Sequence, residues 1–363
     1  MYIKQVIMNV AIQVTYDDYC KAYNIYQGIY APLDHFVGYN EVESIGKDLR
    51  LTTGEFFPLP ILLSSQQLDV DYIEIGNPTQ LSYNGNIVGE IHVEEVYQLD
   101  KELLCQRIFK TCSISHPGVK YIMDSGQVFI AGKPIINIPP PFVNDSSYIS
   151  PSDFKAIKES NGWKTCAGFQ TRNIPHRAHE YLQRLALEVC DGLLIHPLVG
   201  WKKKGDFTID AIVKSYTKLI DNYYPKDRVF YAHLYTPMFY AGPREALLHA
   251  IIRRNYGCTH FVVGRDHAGV GNFYDLYAAH EACIKHKDSI FGIDFLLFRG
   301  PYYCEKCNSI VTDKHCSHYN TEFSKSISGT QLRQLVADGS SIPPWLARSE
   351  VVESISIESL NHD

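Results

Sequence analysis

Short apolar runs alternate with longer amphipathic segments from about residue 151 to residue 298. The short runs are almost continuously apolar, as expected for parallel strands that are buried on both faces. The longer segments have the period of about 3.6 residues that is typical of helices. The predicted strands cover residues 165–171, 192–199, 228–235, 259–264 and 291–298. The predicted helices cover residues 176–190, 209–223, 243–256 and 274–285.

This alternation predicts a doubly wound α/β sheet in the middle of the chain. The first 150 residues follow a different pattern, in which Gly, Pro, Asn and Asp recur between short β-branched runs such as Tyr72–Ile75 and Gln127–Ile130. That spacing predicts a mainly β domain with some helix. The proline-rich stretch Ile138–Val143, followed by Asn144–Ser147, predicts a linker.

A Cys/His segment and a short helical tail follow the last predicted strand. We therefore expect three parts, which cover residues 1–150, 151–300 and 301–363.

The length and charge of the chain limit the classes of protein to which it can belong. The chain has 363 residues, of which 45% are hydrophobic, so it has enough apolar side chains for a sizeable core in two or three domains. The formal net charge of -6 supplies no overall basic field for nucleic acid or an anionic membrane, and an anionic substrate then needs a local basic pocket. The first residues lack the pattern of a signal peptide, and no window reaches the ~18 apolar residues of a transmembrane helix. We therefore expect a cytoplasmic protein that binds neither nucleic acid nor a membrane.

Polar clusters follow the first, second and fourth predicted strands, where a doubly wound sheet binds its ligands. The first cluster, Gln170–Glu180, contains two amides, two arginines and two histidines, and the histidines are three residues apart. It lies at a predicted helix N-terminus, which offers free N–H groups and a positive dipole to an anion. The cluster therefore predicts a site that holds phosphate beside a second oxyanion. The alternative is that His176 and His179 are helix-surface histidines without a ligand.

The second cluster, Gly264–Gly271, follows the fourth predicted strand. Its glycines allow backbone N–H groups to approach an anion closely. Arg265 can donate two parallel hydrogen bonds to a tetrahedral oxyanion. A glycine-rich loop without a ligand is the alternative, but the Arg-Asp-His sequence at 265–267 favours an anion site.

Three further segments carry residues that could bind a ligand. Lys202, Lys203 and Lys204 follow the second predicted strand, where they either add positive potential or form a solvated basic turn. Gly242–Ala246 begins a helix with proline in its first turn, and it is either a ligand segment or a simple helix start. Ile327–Arg333 places two hydroxyls and an arginine around another helix start, which is consistent with a phosphate clamp.

The Cys/His segment has the spacing of a metal site. Cys304 and Cys307 are separated by two residues, and Cys316 and His318 follow. Three thiolates and an imidazole match a closed structural zinc site. His315 is a rival for the position of the fourth ligand. Because protein donors fill all four positions, the metal is predicted to be structural rather than catalytic.

Taken together, these motifs resemble the ATP sulfurylase (sulfate adenylyltransferase) family, and the resemblance spans nearly the whole chain. It rests mainly on Gln-Thr-Arg-Asn with His-x-x-His at 170–179 and on Gly-Arg-Asp-His-Ala-Gly at 264–269. Weaker landmarks in the first part are Pro32-Leu33-Asp34 and His116-Pro117-Gly118-Val119. The Cys/His segment resembles the zinc-bearing prokaryotic branch of the family. The resemblance implies a β-rich PUA-like N-terminal domain, a Rossmann-like nucleotidyltransferase domain, and a small C-terminal part with a zinc knuckle and helices.

The resemblance also implies roles for the residues of the two loops. It implies a sulfate pocket formed by Gln170, Arg172, Arg265 and the backbone N–H of Ala268. It implies a catalytic set formed by Thr171, Arg172, Asn173, His176 and His179, in which the two histidines stabilise the transition state at the ATP phosphates. It implies ATP contacts from Asn173, His176, His179, Gly264, Asp266 and His267.

The implied reaction is reversible adenylyl transfer from ATP to sulfate, which gives adenosine 5′-phosphosulfate and pyrophosphate. Mg²⁺ is expected to accompany ATP, and the family suggests a homodimer. One alternative is an adenylyltransferase with the same His-x-x-His and Ser-x-Thr-x-x-Arg pattern but a different acceptor. Arg172 and Arg265 argue against it, because a larger neutral acceptor would not need two arginines. A second alternative is an RNA-binding protein with a PUA-like domain and a zinc knuckle, which the net charge of -6 disfavours.

Overall fold

The computed structural model describes residues 11–66, 72–200 and 205–360. Lys202, Lys203 and Lys204 lie outside these ranges, so what the sequence predicts for them stays a prediction. The strands are β1 Ala11–Gln13, β2 Leu63–Ser65, β3 Pro78–Tyr83, β4 Asn86–Tyr97, β5 Val128–Ile136, β6 Cys166–Thr171, β7 Gly192–Pro197, β8 Val229–Tyr231, β9 His260–Val263, β10 Asp294–Leu297, β11 Tyr302–Cys304, β12 Ser309–Val311 and β13 Ser324–Ser326. The α-helices are α1 Tyr16–Tyr26, α2 Tyr39–Asp48, α3 Lys101–Phe109, α4 Pro117–Asp124, α5 Pro151–Ser160, α6 Arg177–Val189, α7 Ile209–Tyr223, α8 Pro243–Tyr256, α9 Ala278–His286, α10 Gly329–Ala337 and α11 Ser349–Val352. Short 3₁₀ helices cover Pro141–Asn144, Lys287–Ser289 and Ile357–Ser359.

One compact unit is formed by the described parts of residues 1–145 together with 239–248. Its five-stranded sheet has the order β1-β3-β4-β5-β2. β1 and β3 are parallel, and the other neighbours are antiparallel. Ile12, Leu81 and Ile130 are among the buried apolar side chains of its strands. The predicted β-sheet is present, but helices α1–α4 make the unit mixed α/β rather than mainly β.

One of the strands predicted for this unit is absent from the described residues. Tyr72–Ile75 forms turns instead, because the N–H of Asn77 donates to the carbonyl of Glu74 at 3.2 Å and Gly76 takes a left-handed φ of 89°. The side chains of Tyr72 and Ile75 are exposed, so no buried face specifies a strand there. Three residues of the other predicted run, Val128–Ile130, belong to a strand, the longer β5.

Arg244 serves the packing of the same unit. Its guanidinium is buried and donates hydrogen bonds to the backbone carbonyls of Ile45 at 2.9 Å, Gly46 at 2.7 Å and Pro58 at 3.1 Å. Charge-assisted hydrogen bonds of this kind contribute more than neutral ones. The structure therefore favours the helix-start interpretation of Gly242–Ala246 over a ligand role for Arg244.

The second compact unit is formed by the described parts of residues 146–238 and 249–363. Its main sheet has the order β10-β9-β6-β7-β8, and every neighbouring pair is parallel. The predicted doubly wound sheet is therefore confirmed. None of the helices within the described ranges is both long enough and apolar enough to cross a membrane.

The strand order places two loops side by side. β6 lies at the centre of the sheet, with β7 on one side and β9 on the other, so the chain order reverses between β6 and β9. Ligands of doubly wound sheets bind beyond the carboxyl ends of the strands at this switch point. Phe169 of β6 is paired with Val262 of β9, and Arg172 and Arg265 each lie three residues further along the chain. The pairing therefore brings the two arginine loops to the same edge of the sheet.

Buried apolar side chains hold α6 in place behind the first of these loops. Leu182 and Ala186 of α6 belong to one buried cluster with Phe169 of β6 and Ile195 of β7. Full burial of one leucine or isoleucine side chain contributes roughly 1.5–3 kcal/mol. The packing therefore holds the N-terminus of α6 next to the end of β6.

Candidate active site

The loop after β6 begins with a turn that Thr171 stabilises. The Thr171 hydroxyl accepts a hydrogen bond from the N–H of Asn173 at 3.1 Å and lies 3.2 Å from the carbonyl of Asn173, to which it donates. Arg172 lies at the centre of this turn, and its Nη2 donates to the carbonyl of Gly269 at 3.2 Å. The first loop therefore contacts the second directly.

His176 caps α6 and stacks on His179. Its Nδ1 accepts a hydrogen bond from the N–H of His179 at 3.2 Å, and the two ring centroids are 3.8 Å apart with an interplanar angle of 28°. The ring of Phe169 meets His179 edge-on at 5.3 Å. α6 begins at Arg177, one residue after the predicted start, and Pro175 precedes its N-cap. The cap and the stack hold both imidazoles at the helix N-terminus.

Both imidazoles are held in the neutral form. Burial lowers the pKa of His179 to about 4. Burial, together with neighbouring His179, holds the pKa of His176 well below its usual value of 6.5. Because Nδ1 of His176 accepts a hydrogen bond, the neutral ring carries its proton on Nε2 and can donate it.

The loop after β9 takes an unusual backbone path. Asp266 and Ala268 have left-handed φ angles of 54° and 56°, which non-glycine residues seldom adopt. Such strain occurs most often at functional sites. A Cβ on Gly269 would lie 1.9 Å from Oδ1 of Asp266, and a Cβ on Gly300 would lie 2.7 Å from Cδ of Arg265. The absent side chains leave room for Asp266 and Arg265.

The N-terminus of α10 forms a third wall. Ser328 caps this helix by accepting a hydrogen bond from the N–H of Gln331 at 3.1 Å. Arg333 donates from Nη1 to Oδ1 of Asn173 and from Nη2 to the Thr330 hydroxyl, the latter at 3.2 Å. A Cβ on Gly329 would lie 2.9 Å from the side chain of Asn173, so glycine permits this close approach.

These walls enclose a cavity of about 290 Å³. All the residues predicted for the sulfate and ATP sites line it. From the first loop these are Gln170, Thr171, Arg172, Asn173, His176 and His179. From the second loop they are Gly264, Arg265, Asp266, His267 and Ala268. The structure thus brings the two predicted clusters together, while the role of each residue stays a prediction.

Two family models match the chain. The one described as ATP-sulfurylase matches residues 145–357, and the one described as PUA-like domain matches residues 3–136. A protein of Ignicoccus hospitalis named "Sulfate adenylyltransferase" is 40% identical over 335 residues, which cover 92% of this chain and 86% of that protein. A protein of Carboxydothermus hydrogenoformans with the same name is 40% identical over 346 residues, which cover 94% and 90%. The chain belongs to the ATP-sulfurylase family.

A solved structure shares the fold of this ATP-sulfurylase family member. It is described as "Hexameric APS kinase from Thiobacillus denitrificans", and it matches with a TM-score of 0.73 and 20% sequence identity. The match covers 96% of this chain and 63% of that chain, so our chain spans less than two thirds of its length. At this identity the likeness concerns the fold alone.

The Cys/His segment of this family member forms one compact donor set. Three antiparallel strands in the order β12-β11-β13 bring together the thiols of Cys304, Cys307 and Cys316 and Nδ1 of His318, and all four ligand atoms lie within 4.8 Å of one another. Nδ1 of His318 is 3.4–3.5 Å from each sulfur. His315 turns away, since its Nε2 lies 2.9 Å from the hydroxyl of Tyr181. The set could therefore hold a metal ion with His318 as its fourth donor.

Glu180 was not singled out in the sequence, although it supports the site. Its carboxylate is buried and accepts hydrogen bonds from Nη1 of Arg177 at 2.8 Å, from Nε of Arg184 at 3.0 Å and from Arg348. The spacings to Arg177 and Arg184 are three and four residues, a local signal of ion pairs on one helix face. The contact with Arg348 spans 168 residues and has no local signal.

The sequence predicts a phosphate clamp that includes Thr330 and Arg333, and the predicted sulfate and ATP sites do not contain them. Both line the cavity. Asp206 is likewise absent from the predicted sites. It is buried between Arg172 and Arg333.

Proposed function

We propose that this protein transfers the adenylyl group of ATP to sulfate, giving adenosine 5′-phosphosulfate and pyrophosphate. The observation that carries the proposal is one cavity in which Arg172 and Arg265, from adjacent loops, lie together with the neutral His176 and His179. The relatives named sulfate adenylyltransferase support the same reaction. The ATP-sulfurylase model covers the residues of both loops.

Sulfate occupies the end of the cavity near Arg172 and Arg265 in this proposal. Gln170 and the backbone N–H of Ala268 complete that end. Guanidinium groups match a tetrahedral oxyanion because they donate paired, parallel hydrogen bonds. The contact of Arg172 with the Gly269 carbonyl supports this grouping, since it joins the loop of Gln170 to the loop of Arg265 and Ala268.

The phosphates of ATP bind at the N-terminus of α6. His176 and His179 are proposed to donate hydrogen bonds to phosphate oxygens there, and the helix dipole favours the same negative charge. Asn173 lies between the two substrates. Thr171 shapes the turn, and Gly264, Asp266 and His267 are proposed to contact the nucleotide.

The chemistry needs positioning more than proton transfer. Sulfate is fully ionised near neutral pH, so no general base has to activate it. A sulfate oxygen attacks the α-phosphorus in line with the departing pyrophosphate, and charge builds on the α,β-bridging oxygen. Fixed donors at that oxygen stabilise the transition state without reorganising, and this term dominates in phosphoryl-transfer enzymes. The buried, stacked imidazoles are suited to that task.

Members of this enzyme family generally use Mg²⁺. Within the described residues, the Cys/His set is the one group of three or more candidate metal ligands that lie together. We propose that Mg²⁺ arrives with ATP and is held mainly by phosphate oxygens and water, which is its usual mode in such enzymes. The Cys/His set is proposed to hold structural zinc, because three thiolates and one imidazole leave no open position for a substrate.

One coupled assay tests the reaction. Purified protein with ATP and Mg²⁺ should release pyrophosphate only when sulfate is added, and adenosine 5′-phosphosulfate should accumulate in equal amount. Selenate or molybdate in place of sulfate would test the shape of the anion end. Release that depends on nicotinamide mononucleotide or phosphopantetheine instead of sulfate would indicate an adenylyltransferase with a different acceptor.

Three further expectations belong to this proposal. The domains are placed at residues 1–150, 151–300 and 301–363, the protein is taken to be a homodimer, and its location is taken to be the cytoplasm. Limited proteolysis, light scattering and cell fractionation would test them in that order.

A further inference from the structure

Asp206 is a fully buried carboxylate between two arginines of the cavity wall. Its Oδ2 is 3.8 Å from Nε of Arg172, and its Oδ1 is 3.4 Å from Nη1 of Arg333. Both arginines line the cavity, whereas Asp206 is not among the described residues that do. The carboxylate therefore lies behind the two guanidinium groups. An anion in the cavity meets the arginines and is shielded from the carboxylate.

The backbone that follows Asp206 is held by residues 359 and 360. Phe207 is fully buried and forms a β-bridge with Leu360. The N–H of Thr208 donates to the carbonyl of Ser359 at 2.8 Å, and the Thr208 hydroxyl caps α7 by accepting from the N–H of Ala211 at 3.3 Å. These contacts fix the backbone next to Asp206 and so hold its carboxylate in place, as a positioning group requires.

Each arginine also donates hydrogen bonds to residues other than Asp206. Arg172 donates to the carbonyl of Gly269, and Arg333 donates to Asn173 and to Thr330. Two guanidinium groups that face one cavity repel each other, and a buried carboxylate between them offsets that repulsion. Asp206 is therefore the group that both arginines share.

We propose that Asp206 is a positioning residue that sets the distance between Arg172 and Arg333 and thereby aligns bound sulfate with the phosphates of ATP. This inference rests on the proposed function, which places sulfate at Arg172 and the ATP phosphates in the same cavity, and it adds Arg333 as a phosphate contact. Asp206 itself touches neither substrate. Its effect reaches the reacting atoms only through the two guanidinium groups.

The first experiment compares two variants of Asp206. Asp206→Asn keeps the shape and removes the charge, and it should lower kcat for sulfate-dependent pyrophosphate release by about 10²-fold, the cost of a misplacement near 1 Å. Asp206→Glu keeps the charge but moves it by one methylene, so it carries the test if the Asn variant does not fold, and it should also lower kcat. The matched control is Asp210→Asn, which removes an exposed carboxylate paired with Lys214 on α7 and should keep wild-type kcat. A folded Asp206 variant with wild-type kcat would overturn the inference.

A double-mutant cycle separates positioning from a general structural role. If Asp206 acts through Arg333, the loss caused by Asp206→Asn should be much smaller in an Arg333→Gln background than in the wild-type background. Losses that multiply independently would contradict the inference. Failure of the wild-type protein to release pyrophosphate with sulfate would instead reject the proposed function. An active wild type with independent losses rejects only the role of Asp206.

Discussion

Arg348 donates two hydrogen bonds to the buried carboxylate of Glu180, from Nε to Oε2 at 2.9 Å and from Nη2 to Oε1 at 2.6 Å. Glu180 directly follows His179 in the first turn of α6, and Arg348 directly precedes α11. The Arg348 guanidinium also lies 3.6 Å from the ring centroid of Tyr223. The C-terminal segment thus supports the helix that carries the two histidines.

Glu180→Gln should destabilise the fold more than Arg348→Ala. Removal of the carboxylate charge leaves three arginines around a buried amide, which costs about 3–5 kcal/mol of unfolding free energy. Arg348→Ala leaves Arg177 and Arg184 on the carboxylate, and it should cost about 1.5–3 kcal/mol, the range for a hydrogen bond to a charged group. Urea unfolding of both variants gives the comparison.

Asp210→Asn is the control for that comparison, because it breaks an exposed ion pair on α7 and should change stability by less than about 1 kcal/mol. If Glu180→Gln were as stable as the control, the three ion pairs at Glu180 would contribute nothing to stability.

His179→Ala should lower turnover by about 10²–10³-fold, the usual cost of losing one donor to a developing negative charge. The fold should persist, since the substituted side chain lies at the cavity rather than in the central core. Steady-state pyrophosphate release and a urea midpoint measure the two effects separately. His92→Ala, which removes a half-exposed histidine of the first unit, is the control and should keep wild-type turnover. Near-wild-type turnover in folded His179→Ala would remove His179 from the mechanism.

Acid should destabilise the protein between pH 6.5 and about pH 4, in part through His179. Its pKa is 6.5 when unperturbed and about 4 in the folded protein. Above pH 6.5 neither the folded nor the unfolded chain holds this proton, so protonation of His179 does not lower the unfolding free energy. As the pH falls toward 4, the unfolded chain binds a proton that the folded chain does not, and each such group lowers the unfolding free energy by about 1.4 kcal/mol per pH unit.

Urea midpoints across that pH window check the acid effect. His179→Gln removes one of the groups and should flatten the dependence. An unchanged slope in His179→Gln would mean that its imidazole titrates alike in both states.

Zinc content should distinguish the two histidines of the Cys/His segment. Wild-type protein should carry about one zinc per chain, as a closed four-donor site implies. His318→Ala and the Cys304→Ser/Cys307→Ser variant should lose it, because these side chains belong to the donor set. His315→Ala should retain it, since His315 is hydrogen-bonded to Tyr181. Metal analysis after gel filtration decides the matter, and the reverse pattern for the two histidines would make His315 the ligand.

Local sequence signals were sufficient for much of the second unit. The bounds of α7 were predicted correctly, because Thr208 supplies an N-cap and the apolar period ends at Tyr223. The strand predicted at 228–235 was too long, since the ladder of β8 ends at Tyr231 and only isolated bridges follow. Pairing with a neighbour decides where a strand ends, and a single run of residues carries no information about its neighbour.

The residues of the candidate site likewise fall into two groups, those that local motifs reveal and those that only the fold reveals. Arg172, His176 and Arg265 belong to dense local motifs, so the sequence located them. Asp206 meets its partners across long stretches of chain, and a lone buried aspartate has no periodic signature. The choice of His318 over His315 also needed the fold, because both histidines are close in sequence to Cys316 and only their orientation separates them.

The pairing of Phe169 with Val262 sets the lateral distance between the two loops that carry Arg172 and Arg265. Hydrogen-bonded neighbouring strands are held roughly 4.8 Å apart, and Arg172 and Arg265 each lie three residues beyond this pair. The lateral offset of the arginines is therefore independent of the length of chain between them. Connections elsewhere in the chain, such as the one between α7 and β8, do not enter this offset. A single residue inserted between Phe169 and Arg172 would change the offset at once.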